Sequence, residues 1–246
     1  MRILVTAGPT REYFDDVRFI SNASSGTLGY AIGAEAARRS HQVILVSGPV
    51  GLPAPSAVEF VPVITGPEML DACRRHFENC DAAVMCAAVC DYRPATQTTG
   101  KAPKTTQAHS VILEPTEDIC AILGRMKERQ NRDRSSEPSR DREGAEQSDE
   151  GQDRTGPPPR ATPRAQHDRI LMGFALETDD ARARAEAKLR RKRCDAIVLN
   201  HPASIGDART TVEVFTPLEG WSAPCSGRKT DIAAYLVDVI ERLAIA

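Results

Sequence analysis

Short apolar runs that alternate with helix-like segments constrain the fold of this chain more than any other feature. The runs that predict strands are Ile3–Val5, Val43–Val46, Val58–Val63, Ala82–Ala87, Ile170–Phe174, Ala196–Leu199 and Val212–Phe215. Helical spacing or helix-start signals predict helices over Gly26–Arg39, Pro67–Phe77, Asp179–Lys192 and Thr230–Leu243, and one that begins with Glu117–Leu123. Strands that alternate with helices form a mostly parallel sheet covered on both faces. The sequence therefore predicts an α/β fold of the Rossmann-like, doubly wound class.

One segment interrupts this alternation. From Lys127 to Asp168 the sequence contains no Val, Ile, Leu, Met, Phe, Tyr, Trp or Cys, and it includes three consecutive prolines. Such a segment has little apolar surface to bury and cannot offset the entropy of ordering its backbone. We therefore expect a single domain over 1–246, interrupted by a disordered insertion at 127–168. Its mixed charges are typical of a solvated spacer, and a partner-binding segment is the alternative.

Charge and cysteine content exclude several classes of protein. The chain carries 32 Lys and Arg against 34 Asp and Glu, so no basic excess favours nucleic-acid binding. No apolar run approaches the roughly 18 residues that a membrane span requires. The seven Cys residues form neither a CxxC motif nor a Cys/His ligand set, so no protein-built metal site is expected. Their mostly apolar surroundings favour reduced thiols and a cytoplasmic location.

Ligands of this fold class bind beyond the carboxyl ends of the strands, so the loops after the strands hold the candidate site. The first such region contains a Ser/Gly-rich turn at 22–29 that leads into a predicted helix. Small residues let backbone N–H groups approach a phosphate closely, and a helix N-terminus favours an anion. A plain capping turn has the same composition. The sequence has neither a GxxxxGK[ST] motif nor a GxGxxG after the first strand, and no Tyr is followed four residues later by Lys.

Later loops add candidate polar groups. Ala87 and Ala88 would leave room for a substrate, and Asp91 could accept hydrogen bonds from it. Lys101 lies on a polar loop that would either carry a cation onto a phosphate or remain an ordinary solvent loop.

Further along, Phe174 would face a base or belong to the core. Lys188 and Lys192 share a helix face that would reach phosphates or simply be solvated. Asn200 ends a strand as a possible hydrogen-bonding group.

Taken together, the segments resemble the phosphopantothenate–cysteine ligase family, also called phosphopantothenoylcysteine synthetases. The resemblance covers most of 1–124 and 169–243, and its motifs are TAGPTRE (6–12), VRFISNASSG (17–26), LVSGPVGLP (45–53), AAVCDYRPA (87–95), GFALET (173–178) and the helix with two lysines. Their shared order and spacing are specific, although each motif alone would be weak.

The resemblance implies a reaction. Members of this family join 4′-phosphopantothenate to L-cysteine in coenzyme A biosynthesis, through an acyl-nucleotidylate formed from CTP or ATP. Mg²⁺ would bridge the triphosphate, and the protein would be a homodimer. Bacterial members are often fused to a flavin-dependent decarboxylase domain, which this sequence lacks, so FMN is not expected here.

The resemblance also assigns residues to these ligands. Lys101 and Asn22 would be catalytic, and Asn22, Ala87, Ala88, Asp91 and Arg18 would bind substrate, with Arg18 reaching the substrate phosphate of a neighbouring subunit. The nucleotide would be bound by Gly8, Ser24, Gly26, Gly29, Asp91, Asp118, Ile119, Phe174, Lys188, Lys192 and Asn200.

The sequence departs from the family pattern at several places, of which two lie in the flap and in the loop near the base. The Lys-Ile-Lys-Lys of the usual flap is replaced by Lys101-Ala102-Pro103-Lys104, and only Asp118 and Ile119 remain of the usual Lys-Asn-Pro-Asp-Ile. These changes motivate one alternative, a nucleotide-binding protein without catalysis. A second is an NAD(P)-dependent reductase on the same fold, which the missing motifs disfavour.

Overall fold

The computed structural model describes residues 1–136, 168–200 and 207–245. Nine of its strands form one sheet: β1 (Arg2–Ala7), β4 (Gln42–Ser47), β5 (Val58–Pro62), β6 (Ala82–Met85), β9 (Ile170–Leu176), β10 (Ala196–Asn200), β11 (Arg209–Thr216), β12 (Gly220–Trp221) and β13 (Cys225–Arg228). Two hairpins lie outside it: β2 (Arg11–Tyr13) with β3 (Phe19–Ser21), and β7 (Tyr92–Pro94) with β8 (Leu113–Pro115).

The strand order confirms the predicted fold class. Across the sheet the order is β12-β11-β10-β9-β6-β1-β4-β5, and β13 also pairs with β11. The six strands from β5 to β10 are parallel, whereas β11 is antiparallel to β10. The chain moves outward from β1 to β4 and β5, and then returns to β6 on the other side of β1. This reversal creates a crevice at the carboxyl ends of β1 and β6, where ligands of doubly wound sheets bind.

In the described ranges, five helices cover the two faces of the sheet: α1 (Thr27–Arg38), α2 (Gly66–Phe77), α3 (Ile119–Ser136), α4 (Ala181–Lys192) and α5 (Lys229–Leu243). Because side chains alternate along a strand, Ile3 and Val5 pack with α1 and α5, while Leu4 packs with α2, α3 and α4 on the opposite face. Burial of both faces explains why the central strands are continuously apolar. Among the helices described, none is both long and apolar enough to cross a membrane.

Local sequence signals account for how α2 starts. Thr65 accepts a hydrogen bond from the Glu68 N–H, and the Glu68 carboxylate accepts one from the Thr65 N–H. This reciprocal capping box, with Pro67 in the first turn, satisfies helix donors that would otherwise lack partners.

The structure corrects the start of the predicted insertion. Helix α3 continues to Ser136, so the first ten residues of the 127–168 segment are helical rather than disordered. Lys127 is buried, and its ammonium lies 2.7 Å from an Asp195 carboxylate oxygen. A charged side chain can therefore belong to the packed part of the fold when a carboxylate faces it. The rest of the predicted insertion, 137–167, lies outside the described residues.

Sequence analysis also missed both small hairpins. The β2–β3 and β7–β8 strands are three residues each and carry no alternating apolar pattern. Their chain segments follow β1 and β6, and the hydrogen bond from the Thr10 N–H to the Ala88 carbonyl joins them beyond the sheet, at 3.3 Å. They extend the ligand-binding edge rather than the core.

Candidate functional site

A cavity of about 530 Å³ occupies the carboxyl edge of the sheet, beside β1 and β6. We call it the edge cavity; its walls are the turn at 22–29, the segments 85–91 and 116–120, the ends of β9 and β10, and residues of α4 and α5. Thirteen of the sixteen residues named by the family resemblance line it: Asn22, Ser24, Gly26, Gly29, Ala87, Ala88, Asp91, Asp118, Ile119, Phe174, Lys188, Lys192 and Asn200. The volume is suitable for a small-molecule ligand.

The Ser/Gly turn places the start of α1 against this cavity. Gly26, the residue before α1, has a φ of 74°, which side chains rarely tolerate. The Thr27 N–H donates to the Ser25 hydroxyl over 3.5 Å, whereas the N–H groups of Leu28 and Gly29, which line the cavity, have no acceptor among the described residues. A Cβ added at Gly29 would lie 2.6 Å from the Ala7 Cβ, so glycine permits the close packing of α1 on β1. Gly8 does not line the cavity, but its Cα would lie 3.3 Å from a Cβ at Gly26.

The wall formed by the β6 loop is held by hydrogen bonds to small residues. The Asn22 side-chain amide donates to the Ala88 carbonyl over 3.0 Å, and the Ala87 N–H donates to the Thr6 hydroxyl over 3.1 Å. Asp91 is exposed at the same wall. Small side chains and fixed amides leave space and polar groups for an extended substrate.

The two predicted lysines of α4 are both ion-paired. The Lys188 ammonium lies 2.5 Å from a Glu177 oxygen, and the Lys192 ammonium lies 3.1 Å from an Asp118 oxygen. To reach a phosphate, each lysine must exchange one anionic partner for another. Near them, the Thr210 hydroxyl donates to the Asn200 Oδ1 over 2.8 Å and so orients that amide.

Three cysteines line the edge cavity as protonated thiols. Burial raises the pKa of Cys86 to about 12, although the nearby Lys229 ammonium opposes this rise. The pKa of Cys120 is well above its usual value because its thiol hydrogen-bonds to Cys194 over 3.5 Å and is buried. Burial also raises the pKa of Cys90. None of the three is activated as a nucleophile near neutral pH, since that requires a thiolate.

The remaining two predicted residues lie elsewhere. Lys101 and Arg18 line a second cavity of about 800 Å³, which we call the loop cavity, formed by Phe14, Arg18 and the 95–112 segment. Arg18 donates to the Ala102 carbonyl over 3.1 Å, which fastens this loop to the β2–β3 hairpin. The structure thus does not bring Lys101 into the edge cavity with the other predicted residues.

Asp15 holds two residues of the loop cavity, Arg18 and Ala102, through hydrogen bonds to its carboxylate. Burial raises the pKa of its carboxyl, but hydrogen bonds from the Val17, Arg18 and Ala102 N–H groups and the Arg18 charge together hold that pKa below its usual value. The contact to the Ala102 N–H measures 3.3 Å. This one carboxylate therefore orders both the hairpin and the loop.

Sequence analysis missed Lys229, which lines the edge cavity as the first residue of α5 and is 8% exposed. One signal was available. Lysine is disfavoured in the first turn of a helix, where the dipole is positive, so its presence there indicates another role.

Comparisons with known proteins identify the family to which the chain is similar. Residues 1–132 and 160–243 match the family described as the DNA/pantothenate metabolism flavoprotein C-terminal domain. The chain is 36% identical over 200 residues to a protein named cysteine/cysteine sulfinic acid decarboxylase from an unidentified prokaryote, and covers 45% of it. It is 36% identical over 253 residues to the coenzyme A biosynthesis bifunctional protein CoaBC of Mycobacterium tuberculosis (strain ATCC 25618 / H37Rv), with 97% of this chain and 51% of that protein covered.

A solved structure agrees with the sequence relatives. The crystal structure of the C-terminal domain of a coenzyme A biosynthesis bifunctional protein CoaBC has a TM-score of 0.70 and 31% identity, over 98% of this chain and 94% of that one. The chain spans about half the length of the curated relatives named above. The matched family model covers most of both halves of the sheet. The chain therefore belongs to the family of the DNA/pantothenate metabolism flavoprotein C-terminal domain.

Proposed function

We propose that this protein is a ligase that joins 4′-phosphopantothenate to L-cysteine in coenzyme A biosynthesis, with CTP or ATP as the activating nucleotide. The observation that carries the proposal is that thirteen residues named by the family pattern, from six separate segments, line one cavity. Family membership supports it, as does the name of the CoaBC relatives.

The proposed reaction has two steps. The pantothenate carboxylate attacks the α-phosphate, an acyl–phosphate bond forms, and pyrophosphate leaves with the electrons of the broken P–O bond. The cysteine amine then attacks the acyl carbon, a C–N bond forms, the nucleoside monophosphate leaves and the amine loses a proton. Activation makes the carboxylate reactive, so the protein mainly positions the partners.

Electrostatics favours the edge cavity for this chemistry. An anion attacks another anion in the first step, so positive charge and N–H donors must face the developing charge. The open first turn of α1 and the lysines of α4 supply such groups from two sides. Asn22 and the alanines at 87 and 88 would hold the pantothenate arm, and Phe174 and Asn200 would border the nucleoside.

Mg²⁺ is part of the proposal as a partner of the triphosphate. Within the described ranges no group of three or more His, Cys, Asp or Glu residues could hold a metal by itself. Asp91 and Glu117 both line the edge cavity and supply the oxygen ligands that Mg²⁺ prefers. The ion would neutralise phosphate charge when bound, so a site completed by the nucleotide fits these residues.

We also propose a homodimer, which would act in the cytoplasm. Apolar side chains of the two small hairpins and their loops are exposed, among them Val17, Tyr92 and Ile112, which is 78% exposed. Ile112 lines the loop cavity together with Arg18, so a neighbouring subunit seated there would be within reach of that guanidinium. Light scattering on the eluted protein tests this, and a monomer at micromolar concentration would contradict it.

The function is tested by measuring pyrophosphate release with CTP and with ATP, each with and without 4′-phosphopantothenate, followed by addition of cysteine. We expect release that requires phosphopantothenate, and phosphopantothenoylcysteine after cysteine is added. Nucleotide binding without pyrophosphate release would instead favour the non-catalytic alternative. Thermal stabilisation by NAD(P)H, with neither activity, would favour the reductase.

A further inference from the structure

Lys229 is the lysine of the edge cavity for which the described part of the chain provides no carboxylate partner. Lys188 and Lys192 pair with Glu177 and Asp118, but no hydrogen bond or ion pair of the Lys229 side chain occurs among the described residues. The residue is only 8% exposed. An ammonium in such a position costs free energy unless an anion compensates it.

Lys229 and Cys86 are neighbours in the edge cavity. Both residues line it, and Cys86 directly follows β6, one of the two strands at the topological crevice. The Lys229 charge opposes the rise that burial causes in the pKa of the Cys86 thiol. The buried lysine therefore lies at the carboxyl edge of the sheet, where ligands of this fold class bind.

Helix α5 packs beside α1 and brings this lysine to the cavity that the Ser/Gly turn also lines. At the C-terminal end of α1, Arg39 holds the two helices together through Glu241, over 2.8 Å, and through the Ala234 carbonyl, over 3.1 Å. The first-turn residues Thr27, Leu28 and Gly29 of α1 line the edge cavity together with Lys229. The lysine and the N-terminus of α1 therefore face one cavity.

The position of the lysine in α5 is unfavourable without a ligand. The positive end of the helix dipole repels a cation in the first turn, and burial removes the water that would solvate it. The Lys229 N–H already donates to the Ala208 carbonyl over 3.1 Å, so the N–H groups offered to a ligand are those of α1. An anion bound beside the first turn of α1 would satisfy both these N–H groups and the ammonium.

We infer that Lys229, with the first turn of α1, forms an anion subsite that binds the phosphate chain of the nucleoside triphosphate. The inference rests on the proposed function, because that function supplies the nucleotide. The phosphate of 4′-phosphopantothenate has related chemistry, but the proximity to the Ser/Gly turn favours the nucleotide. In this subsite Lys229 is a binding residue that also reaches the pyrophosphate leaving group.

Calorimetric titration of the full chain tests the inference with four ligands: CTP, inorganic pyrophosphate, cytidine and 4′-phosphopantothenate. For Lys229→Met we expect CTP and pyrophosphate binding to weaken by about tenfold to a hundredfold, as for loss of a hydrogen bond to a charged group. Cytidine and phosphopantothenate binding should not change. Arg228→Gln is the matched control, since Arg228 precedes Lys229 but is exposed and pairs with Asp231 over 3.1 Å.

A second readout separates binding from a structural role. Methionine keeps the apolar stem and removes an uncompensated buried charge, so the ligand-free variant should melt at the same or a higher temperature. Its stabilisation by pyrophosphate should shrink. Lys229→Arg keeps the charge and should retain most pyrophosphate binding.

Two outcomes would overturn the inference. One is a Lys229→Met variant that binds CTP and pyrophosphate as tightly as the parent; the other is weakened binding of phosphopantothenate alone. If the parent chain binds pyrophosphate through Lys229 but never releases it from CTP or ATP, the subsite stands and the proposed ligase function fails.

Discussion

The edge cavity and the loop cavity are built in different ways from the same chain. The edge cavity lies on the parallel strands and helix starts of the core, and glycine at 29 lets α1 pack closely on β1. The loop cavity is formed by irregular segments held by a few polar contacts, chiefly those of Asp15 and Arg18. A binding site can therefore be fixed by packing while a reactive group is carried by a segment that polar contacts hold.

This difference separates binding from turnover, and Lys101 gives the largest expected effect. If the edge cavity binds nucleotide and Lys101 acts on the reacting centre, Lys101→Ala should lower turnover by about a hundredfold to a thousandfold, as for removal of one charge-stabilising donor. The Kd for CTP should stay near the parent value. Steady-state kinetics and calorimetry on one preparation measure both quantities.

Lys104 is the matched control for Lys101, since it lines the same loop cavity three residues later. Its replacement by alanine removes an equal charge and should lower turnover much less. Equal losses in the two variants would mean that general charge, not a positioned ammonium, accounts for the effect.

Two glycines, one in the packed helix α3 and one in the loop next to Lys101, test whether the two regions differ in how tightly they are packed. A Cβ at Gly124 in α3 would lie 2.0 Å from the carbonyl oxygen of Lys192, whereas one at Gly100 would meet nothing within 4 Å. Gly124→Ala must separate α3 from the end of α4 and should lower the free energy of unfolding by about 3 kcal/mol. Gly100→Ala, with φ at 77°, should cost about 1 kcal/mol. Urea unfolding of both variants measures this, and similar losses would contradict the distinction.

Acid should loosen the loop cavity through Asp15. The pKa of Asp15 in the folded protein lies below its usual value of 3.8. Its contacts therefore contribute their full stabilisation above pH 3.8, and this stabilisation is lost as the pH falls through the lowered pKa of the folded state. Amide resonances of Val17 and Ala102 should shift together in an NMR titration over that range. In Asp15→Asn this shared transition should be missing, and its persistence would assign it to another group.

Sequence patterns predicted the core better than the edges because core strands are selected by burial on both faces. The seven predicted strands match β1, β4, β5, β6, β9, β10 and β11 within a few residues. The small hairpins depend on contacts such as Thr10 to Ala88 between distant loops, and three-residue strands carry no period of their own.

Composition predicted the start of the insertion incorrectly, because here too the decisive contact is distant in sequence. Residues 127–136 have no large apolar side chain, yet Lys127 is buried and forms an ion pair with Asp195. That partner lies 68 residues away, and no local pattern signals it.

The site residues were predicted by family motifs more than by the physical properties of the sequence, and Lys229, which belongs to none of those motifs, was missed. Loops after strands pointed to the correct edge because parallel strands share it. Lys229 instead comes from the start of the last helix, whose place depends on the antiparallel pairing of β11 with β13. A single lysine at the start of an amphipathic helix does not reveal that topology.

The smallest expected effect concerns the paired lysines of the edge cavity. Lys192 already faces Asp118 over 3.1 Å, so a bound phosphate replaces one partner rather than filling a vacancy. The net gain from such an exchange is at most about 1 kcal/mol, close to that of a partly exposed ion pair. Lys192→Met should thus weaken CTP binding by no more than about fivefold, well below the effect at Lys229. Calorimetry on the two variants compares their CTP affinities directly. An equal or larger loss of affinity at Lys192 would show that its ion pair opens at little cost. Ion pairing in the ligand-free state would then not indicate which lysine of this cavity contributes most to nucleotide binding.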